Sequence, residues 1–243
     1  MDTIILGNGP LGHAIANAFR ERGTEVPLLG RPAGRPRDRT DLGAPDLTIE
    51  ASRADAVADN IAAALAAGCR RFVIATTGWD SDCAAVEADL QAHGAAAVAA
   101  PNLSLGAALF FRLVERASEL LGPIEGFEPY LLEWHRRTKR DRPSGTAREL
   151  ARRVAAGFGE GQGPELEIAV IRAGASPGMH LVGFDSPGET IELRLTARDR
   201  SAYAAGALAA ADWLSRTTRS AGFHSFDEVV DELLAAPALA AIA

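Results

Sequence analysis

Lysine is nearly absent from this sequence: of its 25 basic residues among 243, 24 are arginine and one, Lys139, is lysine. An ammonium kept at a single position raises the question of whether that position needs a compact point charge rather than a planar guanidinium. Cysteine is scarce too. Cys69 and Cys83 cannot build a disulfide framework, and with no CxxC and only five histidines they do not suggest a zinc site, so no metal is expected. No run approaches about 18 consecutive apolar residues, so no membrane-spanning helix is expected. The opening MDTIILGNGPLG has no basic stretch ahead of an apolar one, so no signal peptide is expected and a reducing cytoplasm is the expected location. Basic residues fall short of acidic ones by 25 to 32, a net charge of −7, which argues against a nucleic-acid partner. With 47% hydrophobic residues the chain is too apolar to be disordered and long enough to bury a substantial core.

The first forty residues carry the clearest local pattern. Thr3–Leu6 reads as a buried β-strand, and Gly7-Asn8-Gly9-Pro10-Leu11-Gly12 is a GxGxxG. A helical pattern over His13–Arg22 follows, stopped by Gly23, then a second strand over Glu25–Leu29. Glycines between a strand and a helix of a βαβ unit give a tight turn, let backbone amides approach a pyrophosphate, and aim the positive helix end at it. Gly7, Gly9, Pro10, Leu11 and Gly12 are therefore candidate cofactor-binding residues. The acidic residue that would bind an adenosine ribose after the second strand is missing. Arg31 stands there instead, followed by Arg35, Arg37 and Arg39. A guanidinium suits a ribose 2′-phosphate, which points to NADPH, with NADH also usable and Arg31 the leading contact.

Further alternation follows: strands at Leu47–Glu50, Arg71–Ala75 and Ala95–Ala99, helices at Arg53–Ala67 and Ser81–His93. Loops after the strands face the ligand crevice of such a sheet, which puts Glu50, Thr77 and Asn102 near the cofactor. A long amphipathic helix spans Leu105–Leu121. After it come short β-like runs at Phe127–Leu132, Leu166–Arg172, His180–Asp185 and Thr190–Thr196, most of them separated by Gly/Pro turns. Helices at Ser201–Thr217 and Phe226–Leu234 close the chain. The fold class is α/β: an N-terminal Rossmann-type doubly wound parallel sheet with a second α+β domain of mixed or antiparallel sheet. The expected domains are 1–104 for the dinucleotide, 105–200 for substrate and oligomerisation, and 201–243 for helices returning to the first.

The segment Glu133–Ala147 carries the chemistry. The sequence places His135 on a loop after a strand, among Arg136, Arg137, Lys139 and Arg140. Pro143-Ser144-Gly145-Thr146-Ala147 opens a helix to about Ala156, with Ser144 as its N-cap. A helix N-terminus beside basic side chains is an anion site, and a carboxylate is its natural guest. His135 is placed to supply a proton when hydride reaches a neighbouring atom, and Lys139 to hold negative charge or assist. The plain alternative is a surface histidine in a solvated basic loop.

The stretch resembles the dihydrodipicolinate reductase family, whose signature E-x-H-H-x-x-K-x-D-x-P-S-G-T-A is met in register by Glu133, His135, Lys139, Asp141, Pro143, Ser144, Gly145, Thr146 and Ala147. Glu50-Ala51-Ser52 is similar to that family's D-F-T, Ala75-Thr76-Thr77-Gly78 to its G-T-T-G, and Ala100-Pro101-Asn102-Leu103-Ser104 to its A-P-N-F-S. Arg172, Gly174, Gly178, His180, Glu189, Arg200 and Gly206 fall in the family's C-terminal order. The resemblance implies an NAD(P)H-dependent reductase of a cyclic imine or enamine dicarboxylate in lysine and diaminopimelate biosynthesis. It implies that His135 and Lys139 are catalytic and that Ser144, Gly145 and Thr146, with Arg136, bind substrate. Ala75, Thr77, Ala100 and Leu103 would line the nicotinamide pocket. Homo-oligomers, tetramers or dimers, built through the second domain are implied as well.

The sequence departs from the family pattern at Arg136 (second His of the pair), Thr138, Ala75 (first Gly of G-T-T-G) and Pro10 (usually Arg). These are pocket positions and bear on the substrate more than on the reaction. Reduction of another cyclic imino acid is the alternative enzymatic reading, and a non-catalytic nucleotide sensor is the reading from outside enzymology.

Overall fold

The computed structural model of the chain describes residues 1–32, 36–159 and 166–235, so Arg35 lies outside the described residues. The chain divides into two compact units, Met1–Leu105 with Arg200–Ala243, and Gly106–Asp199.

The first unit is a six-stranded, all-parallel sheet. Its strands are β1 (Thr3–Leu6), β2 (Leu28–Leu29), β3 (Leu47–Glu50), β4 (Arg71–Ile74), β5 (Ala96–Ala99) and, far along the chain, β10 (Gly222–His224). Their order is β10-β5-β4-β3-β1-β2. All four residues of β1 and of β3 are buried, as expected of parallel strands covered on both faces. Ile4, Leu6, Phe72, Ile74 and Ala97 share one core cluster with α2 (Val57–Ala66) and α3 (Cys83–Ala92). Strand alternation sends Ile5, Ile49, Val73 and Val98, all fully buried, to the opposite face. There α1 (Pro10–Glu21) packs on α6 (Ser201–Arg216), and α6 on β4 and β5. Because β2 and β3 lie on opposite sides of β1, the chain switches direction at β1, and the crevice this opens at the carboxyl ends of β1 and β3 is where such sheets bind ligands.

Two features of this first sheet differ from the sequence expectation. The second strand is only Leu28–Leu29, not Glu25–Leu29. Pro27 offers a carbonyl to Ile5 N at 2.9 Å but has no N–H to continue a ladder. β10 was not expected at all: three residues carry no periodicity, and the strand exists because its neighbour β5 supplies the parallel partner.

The second unit is a four-stranded mixed sheet, order β7-β6-β8-β9, formed by β6 (Glu128–His135), β7 (Glu167–Arg172), β8 (Gly178–Asp185) and β9 (Thr190–Ala197). β6 and β7 pair in parallel through the crossover helix α5 (Gly145–Phe158), while β6–β8 and β8–β9 are antiparallel. One face packs on α5 and on α4 (Leu105–Leu121) through Phe110, Val114, Leu131, Leu150, Val154, Val182 and Phe184. The other bears Tyr130, Leu132 and Trp134, none of them fully buried. The chain then ends its described part in α7 (Phe226–Ala235), which packs on α6.

Candidate active site

The glycine turn of the first unit assigns a separate duty to each glycine. Gly7 has φ +119°, and a Cβ there would lie 2.3 Å from the Ala51 carbonyl oxygen, so the β1 and β3 ends approach only because Gly7 lacks one. A Cβ on Gly12 would lie 1.9 Å from the Gly7 oxygen. Gly9 is different: its Cβ direction is open, with nothing within 4 Å. Gly9 is the N-cap of α1 and makes no side-chain cap, and Pro10 takes the first helical position, where its missing N–H costs no helical bond. Among the described residues the Leu11 and Gly12 amides have no protein partner. An open approach to free amides at a helix N-terminus fits the pyrophosphate of a dinucleotide.

A buried network lies under this turn. Glu50, fully buried at the end of β3, accepts hydrogen bonds from the Ser52 amide (2.8 Å), the Ser52 hydroxyl (2.5 Å), Asn60 Nδ2 (2.8 Å) and Thr76 Oγ1 (3.2 Å). No cation faces it. Burial raises its pKa above the ordinary glutamate value, against the four hydrogen bonds that lower it. Arg37 extends the network, donating to Asn60 Oδ1 (2.8 Å) and to the Gly30 carbonyl (2.6 Å). Arg37 thus ties the end of β2 to α2. Arg31 is exposed and makes a 3.4 Å ion pair with the equally exposed Asp55. Thr77 is exposed, Ala75 and Ala100 are half-buried, and Leu103 is buried with its carbonyl against Gly206 of α6. Thr77 and Ala100 follow the carboxyl ends of β4 and β5.

The second unit holds the titratable cluster. The sequence reading ended the strand at Leu132 and left His135 on a loop. In the structure β6 continues to His135 as its last residue. Strand periodicity then turns Leu131, Glu133 and His135 to one face, and all three are buried. The register brings the partners: Glu133 stands opposite His180 on β8, and His135 opposite Arg172 on β7. The His135 and His180 rings meet edge to face with centroids 5.1 Å apart.

Glu133 sits at the centre. Arg172 donates to its Oε1 at 2.6 Å, and the Ser144 amide bridges both oxygens at 3.1 and 3.2 Å. Its Oε2 is 3.6 Å from His135 Nδ1 and 3.6 Å from His180 Nε2, outside hydrogen-bonding range. Burial alone would raise the Glu133 carboxyl, but the Ser144 hydrogen bonds and the Arg172 guanidinium outweigh it and hold it below the usual range. Burial pulls the pKa of His135 down, helped by Lys139 and Arg172 and opposed by Glu133 and Asp141. Burial, then the neighbouring His135, pull His180 down to about 4.

Ser144 caps α5, its hydroxyl accepting from the Ala147 amide at 3.1 Å and bonding His180 Nε2 at 3.2 Å. Both polar groups of Ser144 are therefore engaged within the protein, and the residue is 2% exposed. The amides of Gly145 and Thr146 are the helix-terminal donors without a protein partner among the described residues. Lys139 is half-buried, its Nζ 2.9 Å from Asp141 Oδ1. Arg136 is exposed and donates to Thr138 Oγ1 at 3.2 Å. One cation could bridge Glu133, His135 and His180, whose ligand atoms lie within 4.8 Å of one another. However, Arg172 already holds the carboxylate and Lys139 adds further positive charge, so the donor set suits proton handling and anions better than a metal. Glu133, Arg172 and His180 are the site members that residue-type reasoning alone left unassigned. The only sequence signal for them was their place in the family order.

The structure can be set beside known proteins. The family model described as "Dihydrodipicolinate reductase, C-terminus" matches residues 106–230. A 4-hydroxy-tetrahydrodipicolinate reductase of Myxococcus xanthus is 34% identical over 218 residues, covering 80% of this chain and 79% of that one. One from Zymomonas mobilis is 35% identical, covering 91% of this chain and 93% of its own. Among solved structures, the dipicolinate-bound dihydrodipicolinate reductase from Paenisporosarcina sp. TG-14 superposes with a TM-score of 0.68 at 18% identity, over 93% of this chain and 97% of that one. At that identity the superposition speaks for the fold.

Proposed function

The chain belongs to the dihydrodipicolinate reductase family, and from that premise we propose that it reduces the cyclic imine/enamine dicarboxylate of lysine and diaminopimelate biosynthesis at the expense of NADPH. The observation that carries the reading is the pairing of a buried histidine, His135, with a free helix N-terminus and a half-buried ammonium in one unit.

The nicotinamide cofactor, when bound, supplies a hydride. The chain's own residues do the rest. The Gly9 opening and the Leu11 and Gly12 amides receive the pyrophosphate. Arg31, exposed beside Asp55, would hold a ribose 2′-phosphate, which would favour NADPH while leaving NADH usable. Ala75, Thr77, Ala100 and Leu103 border the nicotinamide. The Gly145 and Thr146 amides grip one substrate carboxylate, and Lys139 and Arg136 balance the remaining negative charge. Ser144 serves by shaping this turn. His135 as imidazolium gives a proton to the atom beside the one that accepts hydride, so the double bond gains one hydride and one proton and His135 is left neutral. Dipicolinate, a flat dicarboxylate, is a stable occupant for the same site. The sheet face bearing Tyr130, Leu132 and Trp134 supports homo-oligomer formation. No helix among the described residues is long and apolar enough to cross a membrane.

The test is NADPH oxidation with substrate generated in place by the preceding synthase. Rapid oxidation supports the reading. Tight NADPH binding without oxidation discards the substrate and favours the second reading, reduction of another cyclic imino acid. The guanidinium of Arg136 where the family has an imidazole is the observation behind that alternative.

A further inference from the structure

A fully buried carboxylate at the centre of a site built for anions calls for a reason. Glu133 has two occupations already, the Arg172 guanidinium and the Ser144 amide, and both lean on Oε1 more than on Oε2. Oε2 faces two imidazoles at the same distance, 3.6 Å. They are not equivalent. Ser144 Oγ accepts from the Ala147 amide, so its single proton is free to go to His180 Nε2, 3.2 Å away. That nitrogen is then an acceptor and has nothing to give Glu133. His135 Nδ1 is buried and has no hydrogen-bond partner. A buried polar atom left unpaired costs stability and calls for an explanation, and a catalytic role is one. A Cβ on Gly178 would lie 3.0 Å from His135 Nε2, so it is the missing side chain of Gly178 that leaves room beside this nitrogen.

Resting on the reading of His135 as proton donor, we infer that Glu133 is its positioning residue: the 3.6 Å gap closes to a hydrogen bond when His135 carries its second proton, fixing Nδ1–H on Glu133 and presenting Nε2–H to the substrate. Arg172 keeps Glu133 ionised for this duty. In turnover the Nε2 proton leaves to substrate, the Nδ1 proton stays on the ring against Glu133, and solvent restores the first. Hydrogen bonds of this kind are commonly long in a free enzyme and tighten around the reacting complex. The charged and titratable groups facing His135 are Glu133 on its own strand, Arg172 on β7, His180 on β8, and Lys139 and Asp141 on the following turn. Of these, Glu133 and Asp141 favour the imidazolium, and Glu133 contributes more.

The experiment is Glu133→Gln, which keeps an acceptor for the Ser144 amide and removes the charge. A positioning role predicts that kcat falls at least about tenfold. It also predicts that KM and the dipicolinate Kd change less than about threefold, and that the limb of the pH–kcat/KM profile set by His135 moves down by about one unit or more. Glu133→Asp should return part of the rate. A purely structural strut predicts the reverse, a weakened dipicolinate Kd with the pH limb unmoved, and that result overturns the inference. Arg172 loses its carboxylate partner in Glu133→Gln and keeps only the Ile171 and Asp141 carbonyls, so Glu133→Gln/Arg172→Gln is the companion should the single variant not fold. Independently, nitrogen NMR of the wild-type histidine rings with dipicolinate bound should show a hydrogen-bonded Nδ1 proton on His135, and its absence also overturns the inference. If the wild-type protein oxidises no NADPH with the proposed substrate, the functional reading fails while the NMR result still judges the Glu133–His135 contact.

Discussion

Glu133 and His180 stand directly opposite one another on antiparallel strands β6 and β8, both buried, with the Glu133 carboxylate 3.6 Å from the His180 ring. Their register makes the site a feature of the sheet. His135 is two residues along β6 from Glu133, on the same face, and Arg172 sits beside His135 on β7. A rigid ladder therefore holds Glu133, His135, His180 and Arg172, while the free amides of Gly145 and Thr146 come from the helix that Ser144 caps.

Removing the proton donor should separate binding from chemistry. His135→Ala is expected to lower kcat by roughly two to four orders of magnitude. NADPH affinity, set in the other unit, should stay within twofold by fluorescence titration. Because burial lowers the His135 pKa and the protonated form is the one that donates, wild-type kcat/KM should fall as pH rises through a value below the ordinary imidazole pKa of about 6.5. A limb above that value would contradict the assignment.

Lys139 provides a test of charge against shape. Lys139→Ala should lose most turnover, and Lys139→Arg should recover only part of it, since a planar guanidinium replaces a compact ammonium beside Asp141. Equal rates for Arg and Lys would mean that the lone lysine is an accident of composition.

Two glycines of one motif should fail differently. Gly7→Ala puts a methyl 2.3 Å from the Ala51 oxygen at φ +119°, so a destabilisation of roughly 2–5 kcal/mol is expected in urea unfolding. Gly9→Ala meets nothing within 4 Å and should fold with near-normal stability while binding NADPH more weakly. Loss of stability in Gly9→Ala, or weakened binding in a fully stable Gly7→Ala, would reverse these roles.

The two arginines after β2 should also part company. Arg31→Ala is expected to weaken NADPH binding roughly tenfold and NADH hardly at all, consistent with the loss of one charged hydrogen-bonding partner of a phosphate. Arg37→Ala should lower the Tm, because it cuts the tie between Gly30 and Asn60, without changing the NADPH-to-NADH ratio.

Glu50 gives the fold a pH dependence of defined sign. Its folded pKa is raised, so the native state holds the proton more tightly than the unfolded chain, and stability falls as pH rises from the ordinary glutamate value through the folded one. In Glu50→Gln that contribution is absent. The Tm difference between variant and wild type should therefore move in the variant's favour as pH increases across that window, measured by calorimetry. A flat difference would mean that Glu50 has the same pKa in the folded and the unfolded chain.

The parallel half of the fold could be read from the sequence because its signals are local. Thr3–Leu6 followed by Gly7, Gly9 and Gly12, the fully buried run Leu47–Glu50 and the run Arg71–Ile74, buried from Phe72 on, each carry their meaning within a few residues. So does the helix start at Ser144, whose cap needs only the next three residues. The mixed sheet was less clear. β6 was cut short at Leu132 because Glu133 and His135 look polar, and only their burial against β7, β8 and α5 makes them strand.

What the sequence determined by itself was therefore the set of chemical parts: a glycine turn between a strand and a helix, one ammonium, one histidine in a basic segment and a capped helix. Tertiary structure decided how those parts meet. Glu133, Arg172 and His180 lie 39 and 47 residues apart in the chain at most, counting from Glu133, and no local pattern links them. Cross-strand register brings them within hydrogen-bonding or near-hydrogen-bonding distance, and burial then sets their charges. Periodicity can tell which face a residue turns to, but the neighbour it finds there depends on which strand the chain later lays alongside.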